Sequence, residues 1–300
     1  MLKRLRFILT VIALLAAVGI SAQVTTATMS GKVTAQDEPI IGATIVAIHE
    51  PSGTRYGTVT NVSGQFTLQG MRTGGPYKVE ISYVGYQTAI YKGINLLLGE
   101  NYVLNVSLKE SSELLDEVVV TASKDSNMKS DRAGAVTNLT SAKIASIPTV
   151  SRSMNDIMRL SPQSNTTSNG FAAGGGNYRQ SFVTVDGASF NNAFGIGSNL
   201  PAGGAPISLD ALEQLSVSIT PYDVRQSGFT GAAINAVTKS GTNELTGSAY
   251  TFLTNNNLIG DRVGDNSIEL EKSHQYTYGA TLGGAIIKNK LFFFVNGEYG

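Results

Sequence analysis

The chain contains one long apolar run, Phe7 to Ile20, and it stands at the very start. About 14 residues fall short of the roughly 20 that a membrane-spanning helix needs. Lys3, Arg4 and Arg6 precede the run, and Ser21-Ala22-Gln23 places small residues before a polar one. That order is the order of a secretory signal peptide over residues 1–22 rather than of an anchor. After Ala22 no apolar run approaches membrane length. Membrane residence of the exported chain is thereby restricted to β-strands, since lipid tolerates a backbone only as a helix or as a closed barrel.

Composition removes further classes. Without Cys there is no disulfide scaffold, zinc finger or thiol nucleophile, and His49 and His274 stand far apart. No catalytic residue, metal site or cofactor is assigned. The 300 residues carry 22 basic and 22 acidic side chains, and loss of the signal removes three basic ones, leaving 19 against 22. Such a balance has no field to attract phosphate backbones, so nucleic acid is not an expected partner. An apolar content of 42% is enough for packed cores, and the length suggests about two domains.

Residues 24–109 read as a small all-β sandwich. Gly31 to Ala35, Ile41 to His49, Gly57 to Thr60, Gln65 to Leu68, Tyr77 to Tyr83, Tyr91 to Leu97 and Tyr102 to Leu108 are β-prone. Asp37-Glu38-Pro39, Pro51-Ser52-Gly53, Asn61 to Gly64 and Gly74-Gly75-Pro76 separate them as turns. Ala43 to Ile48 is too continuously apolar for a one-sided strand and predicts a central position, while Phe66 and Leu68 alternate with Thr67. His49 reads as a strand-end polar residue rather than a ligand. Gly42-Ala43-Thr44, Gly57 to Asn61, Gly64-Gln65-Phe66 and Val84-Gly85-Tyr86 together resemble the carboxypeptidase regulatory-like domain, a transthyretin-like sandwich. The resemblance implies a docking module or spacer, not an activity.

Residues 110–130 form a charged and polar linker around one β-prone run, Asp116, Glu117, Val118, Val119, Val120, Thr121 and Ala122. Successive valines favour extended backbone. Such a strand either adds to another protein's sheet or serves as an edge strand of the preceding sandwich. The run resembles the TonB box of TonB-dependent outer-membrane transporters, which implies pairing with periplasmic TonB of the inner-membrane energy-coupling complex.

Residues 131–243 predict a compact α+β unit. Ser151 or Ser153 can cap a short helix carrying Met154, Ile157 and Met158, with Pro162 beyond its end. Phe182 to Val185 reads as a strand closed by Asp186-Gly187, Ser208 to Leu215 as a capped helix, and Ser216 to Thr220 and Ala232 to Thr238 as strands. Ser164 to Gly176 and Asn191 to Gly204 read as loops. Val185-Asp186-Gly187, Ala211 to Val217 and, above all, Gly231 to Asn243 resemble the plug domain of TonB-dependent receptors. That implies Gly-rich loops facing an extracellular ligand, with Asn177, Tyr178, Arg179, Asn191, Asn192 and Phe194 as candidate ligand-facing residues. Asn177 to Gln180 and Val183 to Gly187 depart from the glycan-importing branch. Lys239 to Asn243, with the regulatory-like domain, is closer to the Oar-like, OmpA-related branch.

From 244 to 300 the pattern becomes period two. Tyr276, Tyr278, Ala280, Leu282 and Ile286 alternate with Gln275, Thr277, Gly279, Thr281 and Gly283, and Leu291, Phe293, Val295 and Tyr299 lie opposite Asn296 and Glu298. Strand Thr246 to Leu253, polar loop Thr254 to Ser273, strand, short turn Ile287 to Lys290, strand is the rhythm of an antiparallel transmembrane β-barrel. A soluble sandwich alternates in the same way. The resemblance implies a barrel of about 22 strands in the outer membrane, of which three strands are the start, so a longer protein is expected. The expected function is TonB-dependent uptake, with its substrate open among peptide, glycan, siderophore and cobalamin. The alternative is a non-transporting surface protein on a plugged barrel.

Overall fold

The computed structural model describes residues 24–110, 118–121, 136–149, 152–167, 170–191, 207–219, 229–258, 262–264, 266–267 and 274–300. The expected signal segment 1–22 lies outside them, as do Asp116, Glu117, Ala122, Asn192 and Phe194. No described helix is long and apolar enough to cross a membrane.

The first unit is a sandwich of β1 (Ala27–Ala35), β2 (Glu38–Pro39), β3 (Thr44–His49), β4 (Thr54–Val59), β5 (Gln65–Met71), β6 (Gly74–Ser82), β7 (Ala89–Leu96), β8 (Asn101–Val103) and β9 (Val106–Ser107). One sheet runs β2-β1-β5, with β8 and β9 parallel to β1. The other runs β7-β6-β3-β4, so the continuously apolar β3 is interior, and β10 (Val118–Thr121) joins it at the β7 edge. Met29, Ile45, Met71, Tyr77 and Ile81 are fully buried between the sheets, each aliphatic one contributing about 1.5–3 kcal/mol. Phe66 and Leu68 point inward while Thr67 is exposed. Gln36 and Asp37 take left-handed φ values of 47° and 68°, folding Glu38 and Pro39 back onto β1. The expected reversal at Gly74-Gly75-Pro76 is absent. Gly74, at φ 85°, opens β6, and a register shift before Tyr77 bends the strand instead of ending it.

The second unit carries β11 (Val136–Thr140), α1 (Ser141–Ser146), α2 (Met154–Met158), β12 (Ser164–Thr167), β13 (Gly170–Ala173), β14 (Phe182–Val185), β15 (Ala188–Ser189), β16 (Leu212–Ser218) and β17 (Ala233–Thr238). Its sheet runs β11-β16-β17-β14-β15, with β14 and β17 parallel. Helix α2 follows Ser153 and buries Met154, Ile157 and Met158, although Ser153 makes no capping bond into the first turn. Two sequence expectations fail here. Ser208 to Leu215 is not a helix: a 3-10 turn over Leu209–Ala211, capped by Ser208, gives way to β16. β16 lies between β11 and β17 and is buried on both faces, so Leu212 and Leu215 satisfy sheet packing rather than a helical stripe. Ser164 to Gly176 is not a plain loop: β12 and β13 pair as a hairpin, because Phe171, Ala172 and Ala173 are drawn into the core.

The third unit is an antiparallel sheet of β18 (Thr246–Asn255), β21 (His274–Ile287) and β22 (Leu291–Tyr299). Between them, the expected plain loop contains a 3-10 turn over Asn256–Leu258 and a small hairpin of β19 (Arg262–Val263) and β20 (Asn266–Ser267). The register sets Leu253 beside Tyr276, Tyr278 beside Tyr299 and Leu282 beside Val295 on one face, all exposed. Tyr250, Phe252, Thr281, Asn296 and Glu298 occupy the other. Tyr250, Gly279 and Glu298 stand in one cross-strand row. A Cβ on Gly279 would overlap the Tyr250 ring, so glycine lets that ring lie across β21.

Candidate functional site

The candidate coupling strand lies against the sandwich. β10 pairs in parallel with β7, Val118 beside Ala89, Val119 beside Ile90, Val120 beside Tyr91 and Thr121 beside Lys92. Of the seven residues singled out from sequence, these four are described, and they form the outermost strand of the sandwich sheet. The pairing realises the edge-strand use of this run.

The sandwich is in turn fastened to the second unit. Gln214 on β16 is 2% exposed, and its side-chain amide both donates to the Leu96 carbonyl (2.9 Å) and accepts from the Leu98 N–H (2.8 Å). An amide that donates and accepts in one plane imitates a strand partner for the end of β7. Nearby, Asn138 Nδ2 donates to Glu100 Oε1 at 2.7 Å. Burial raises the pKa of Glu213, with the charges of Lys239 and Arg72 acting in the opposite direction.

A second junction joins all three units. The Asn243 N–H donates to the Pro51 carbonyl at 2.8 Å, and its side chain exchanges two 2.8 Å bonds with Asn289 in the turn between β21 and β22. Gly53, at φ 66°, admits Asn289 Oδ1 where a Cβ would overlap it. Asn243 ends the run Gly231 to Asn243, so that motif closes a contact between sandwich and wall.

The third junction seats the second unit on the polar face of the wall. Arg152 is ion-paired with Asp210, lies 3.8 Å from Glu298 Oε2, and places its guanidinium 3.9 Å above the Phe252 ring and 4.9 Å above Tyr250. Tyr250 donates to Glu298 Oε2 at 2.6 Å, and Ser208 Oγ donates to the same oxygen at 3.1 Å. One cation thus faces two carboxylates and two aromatic rings at a partly buried contact. Sequence reasoning passed over Arg152, Asp210, Tyr250 and Glu298. The sole signal was the placement of Glu298 on the polar side of an alternating strand.

Of the candidate ligand-facing residues, Asn177, Tyr178, Arg179 and Asn191 are described. Asn177 caps the exposed 3-10 turn Tyr178–Gln180 in a reciprocal capping box with Gln180, and Arg179 Nε donates to Tyr178 OH at 3.1 Å. Asn191 is taken up by backbone, accepting from Val183 N at 2.6 Å and donating to Ser181 O at 2.8 Å. Asn192 and Phe194 lie outside the described residues. His49 ends β3 buried, sharing a 2.7 Å hydrogen bond with Ser52 Oγ. Burial, assisted by the charge of Arg72, lowers its pKa to about 4. Among the described residues no group of three or more His, Cys, Asp or Glu is arranged to hold a metal.

Residues 28–109 match the carboxypeptidase regulatory-like domain, and residues 237–299 match the outer membrane β-barrel domain. Over 150 residues, 48% of this chain, the sequence is 31% identical to the TonB-dependent transporter Oar of Myxococcus xanthus, and the chain covers 14% of that protein's length. Among solved structures it is similar to the siderophore receptor PirA from Acinetobacter baumannii, with 21% identity over 55% of this chain and 24% of that one and a TM-score of 0.44. It is also similar to the outer membrane transporter YddB from Escherichia coli, with 16% identity over 51% of this chain and 24% of that one and a TM-score of 0.40. The barrel-domain match places the chain in the outer membrane.

Proposed function

For an outer-membrane chain that joins a regulatory-like sandwich to a barrel wall, we propose TonB-dependent transport: ligand-gated uptake driven by coupling of strand 116–122 to periplasmic TonB. In this reading residues 24–109 are the periplasmic sandwich, 110–130 the linker with the coupling strand, 131–243 the plug, and 244 onward the barrel wall. The observation that carries the reading is the seating of the second unit on the polar face of the wall through Arg152, Asp210, Glu298 and Tyr250. A globular unit held there leaves Tyr276, Tyr278, Leu282 and Val295 free to meet lipid, which is how a plug sits inside a barrel. The relative's printed name, a TonB-dependent transporter, supports the coupling. Asn177, Tyr178 and Arg179 are the described candidates for ligand contact, while the Asn191 side chain is held by the Val183 and Ser181 backbone.

One observation favours a passive surface anchor instead: the pairing of β10 with β7 gives the strand a structural use that needs no TonB. Deletion of 116–122 from the full-length protein separates the two. Uptake of labelled peptides, oligosaccharides, ferric siderophores and cobalamin is compared in the deletion strain, the parent and a strain without TonB. Transport requires that a substrate taken up by the parent be lost in both mutants while the deleted protein still reaches the outer membrane. Uptake that persists without the strand overturns the coupling.

A further inference from the structure

We propose that the sandwich is itself part of the coupling site: it presents Val118–Thr121 as a pre-ordered edge, and the coupling protein adds its strand to the outer side of that edge, so that one sheet runs through both proteins. The inference rests on the reading of 116–122 as the coupling strand.

The sheet order ends at β10, and among the described residues no strand lies beyond it. In a parallel ladder a strand turns the N–H and C=O groups of alternate residues towards one neighbour, and those of the remaining residues to the other side. Pairing with Ala89–Lys92 therefore occupies one edge of β10 and leaves the second for an incoming strand. An isolated linker would have to order these residues at the moment of binding, losing backbone entropy. On the sandwich they are already extended.

The placement also directs the load. β7, the strand beside β10, ends at Leu96, whose carbonyl accepts from Gln214, and the next bond of the same amide is to Leu98. A pull on the edge strand passes into the sandwich sheet and from there to β16 of the second unit. The sandwich is then a mechanical link to the plug rather than a spacer.

The test uses the full-length protein in detergent, a free peptide spanning Leu114 to Lys124, and the purified periplasmic domain of the cognate TonB. Residues 1–300 contain no Cys, so with any thiol elsewhere in the full-length protein replaced by Ser, Lys92→Cys with Thr121→Cys, a directly opposed pair, supplies the two thiols that lock β10 to β7 on oxidation. We expect the peptide to bind, the full-length protein to bind at least about tenfold more tightly, and the oxidised double variant to bind as well as its reduced form. The reduced form doubles as the control for folding. If the reduced double variant binds and its oxidised form does not, the strand must leave the sandwich to meet TonB, which overturns this proposal but not the coupling reading. Equal affinity of peptide and full-length chain, or failure of the disulfide to form, also overturns it. If neither peptide nor chain binds, the coupling reading itself falls.

Discussion

Replacement of Gln214 by Ala removes one donor and one acceptor from a contact in which all participants are buried, with Leu96 and Leu98 each 1% exposed. Each lost bond is worth about 1 kcal/mol net, and stranding the Leu98 N–H and the Leu96 C=O costs about 1–3 kcal/mol for each group that water does not reach. Water entering the space left by the side chain recovers part of this, so a loss of about 2–4 kcal/mol is expected at the junction between sandwich and second unit. Hydrogen exchange reads it locally: a loss of 2 kcal/mol is about a thirtyfold faster exchange of the Leu98 amide, if that amide exchanges through opening of the junction. Gln214→Glu sharpens the test. Its carboxylate can still accept from Leu98 N–H, but its second oxygen faces the Leu96 carbonyl, so the folded state favours the protonated acid, which can donate there. Its folded pKa is therefore raised, the penalty is full above that pKa, and it shrinks as pH falls through it. Exchange at Leu98 within twofold of the parent in Gln214→Ala, with no pH-dependent recovery in Gln214→Glu, would refute the junction.

Arg152→Ala leaves Asp210 and Glu298 facing each other without their cation, with a cost of about 1–3 kcal/mol, discounted for the exposure of both carboxylates; the readout is the thermal midpoint of the detergent-purified protein, and an unchanged midpoint argues against the seating. Leu282→Arg on the apolar face should cost about 2–4 kcal/mol if that position lies near the bilayer midplane, whereas Thr281→Arg on the opposite face should be tolerated by comparison; equal assembly of the two variants into outer membranes contradicts the assignment of faces. His49, with its pKa lowered from 6.5 to about 4 by burial and then by Arg72, adds stability in full above pH 6.5 and loses it as pH falls from 6.5 towards 4, by on the order of 3 kcal/mol. The difference in urea stability between parent and His49→Gln should narrow over that window, and a constant difference would show that His49 does not titrate there.

What the sequence by itself determined is whatever neighbouring residues encode. The strand Phe182–Val185 with its Asp186-Gly187 turn, the interior place of β3 and the two faces of β21 and β22 were legible. In each, the signal is a short-range period of apolar side chains or a φ demand on one residue, and both are properties of a few adjacent positions. Leu209, Leu212 and Leu215 show the limit: their spacing fits a helix, yet β16 became a strand because partners on both sides and cores on both faces claimed it. Tertiary structure alone decided that Val118–Thr121 lies on β7, that Gln214 reaches backbone 116 and 118 residues away, and that Arg152 meets Asp210 58 residues further on. A polar side chain carries no periodic mark of its distant partner. Its role is set when the fold brings two unpaired groups together and removes the water between them.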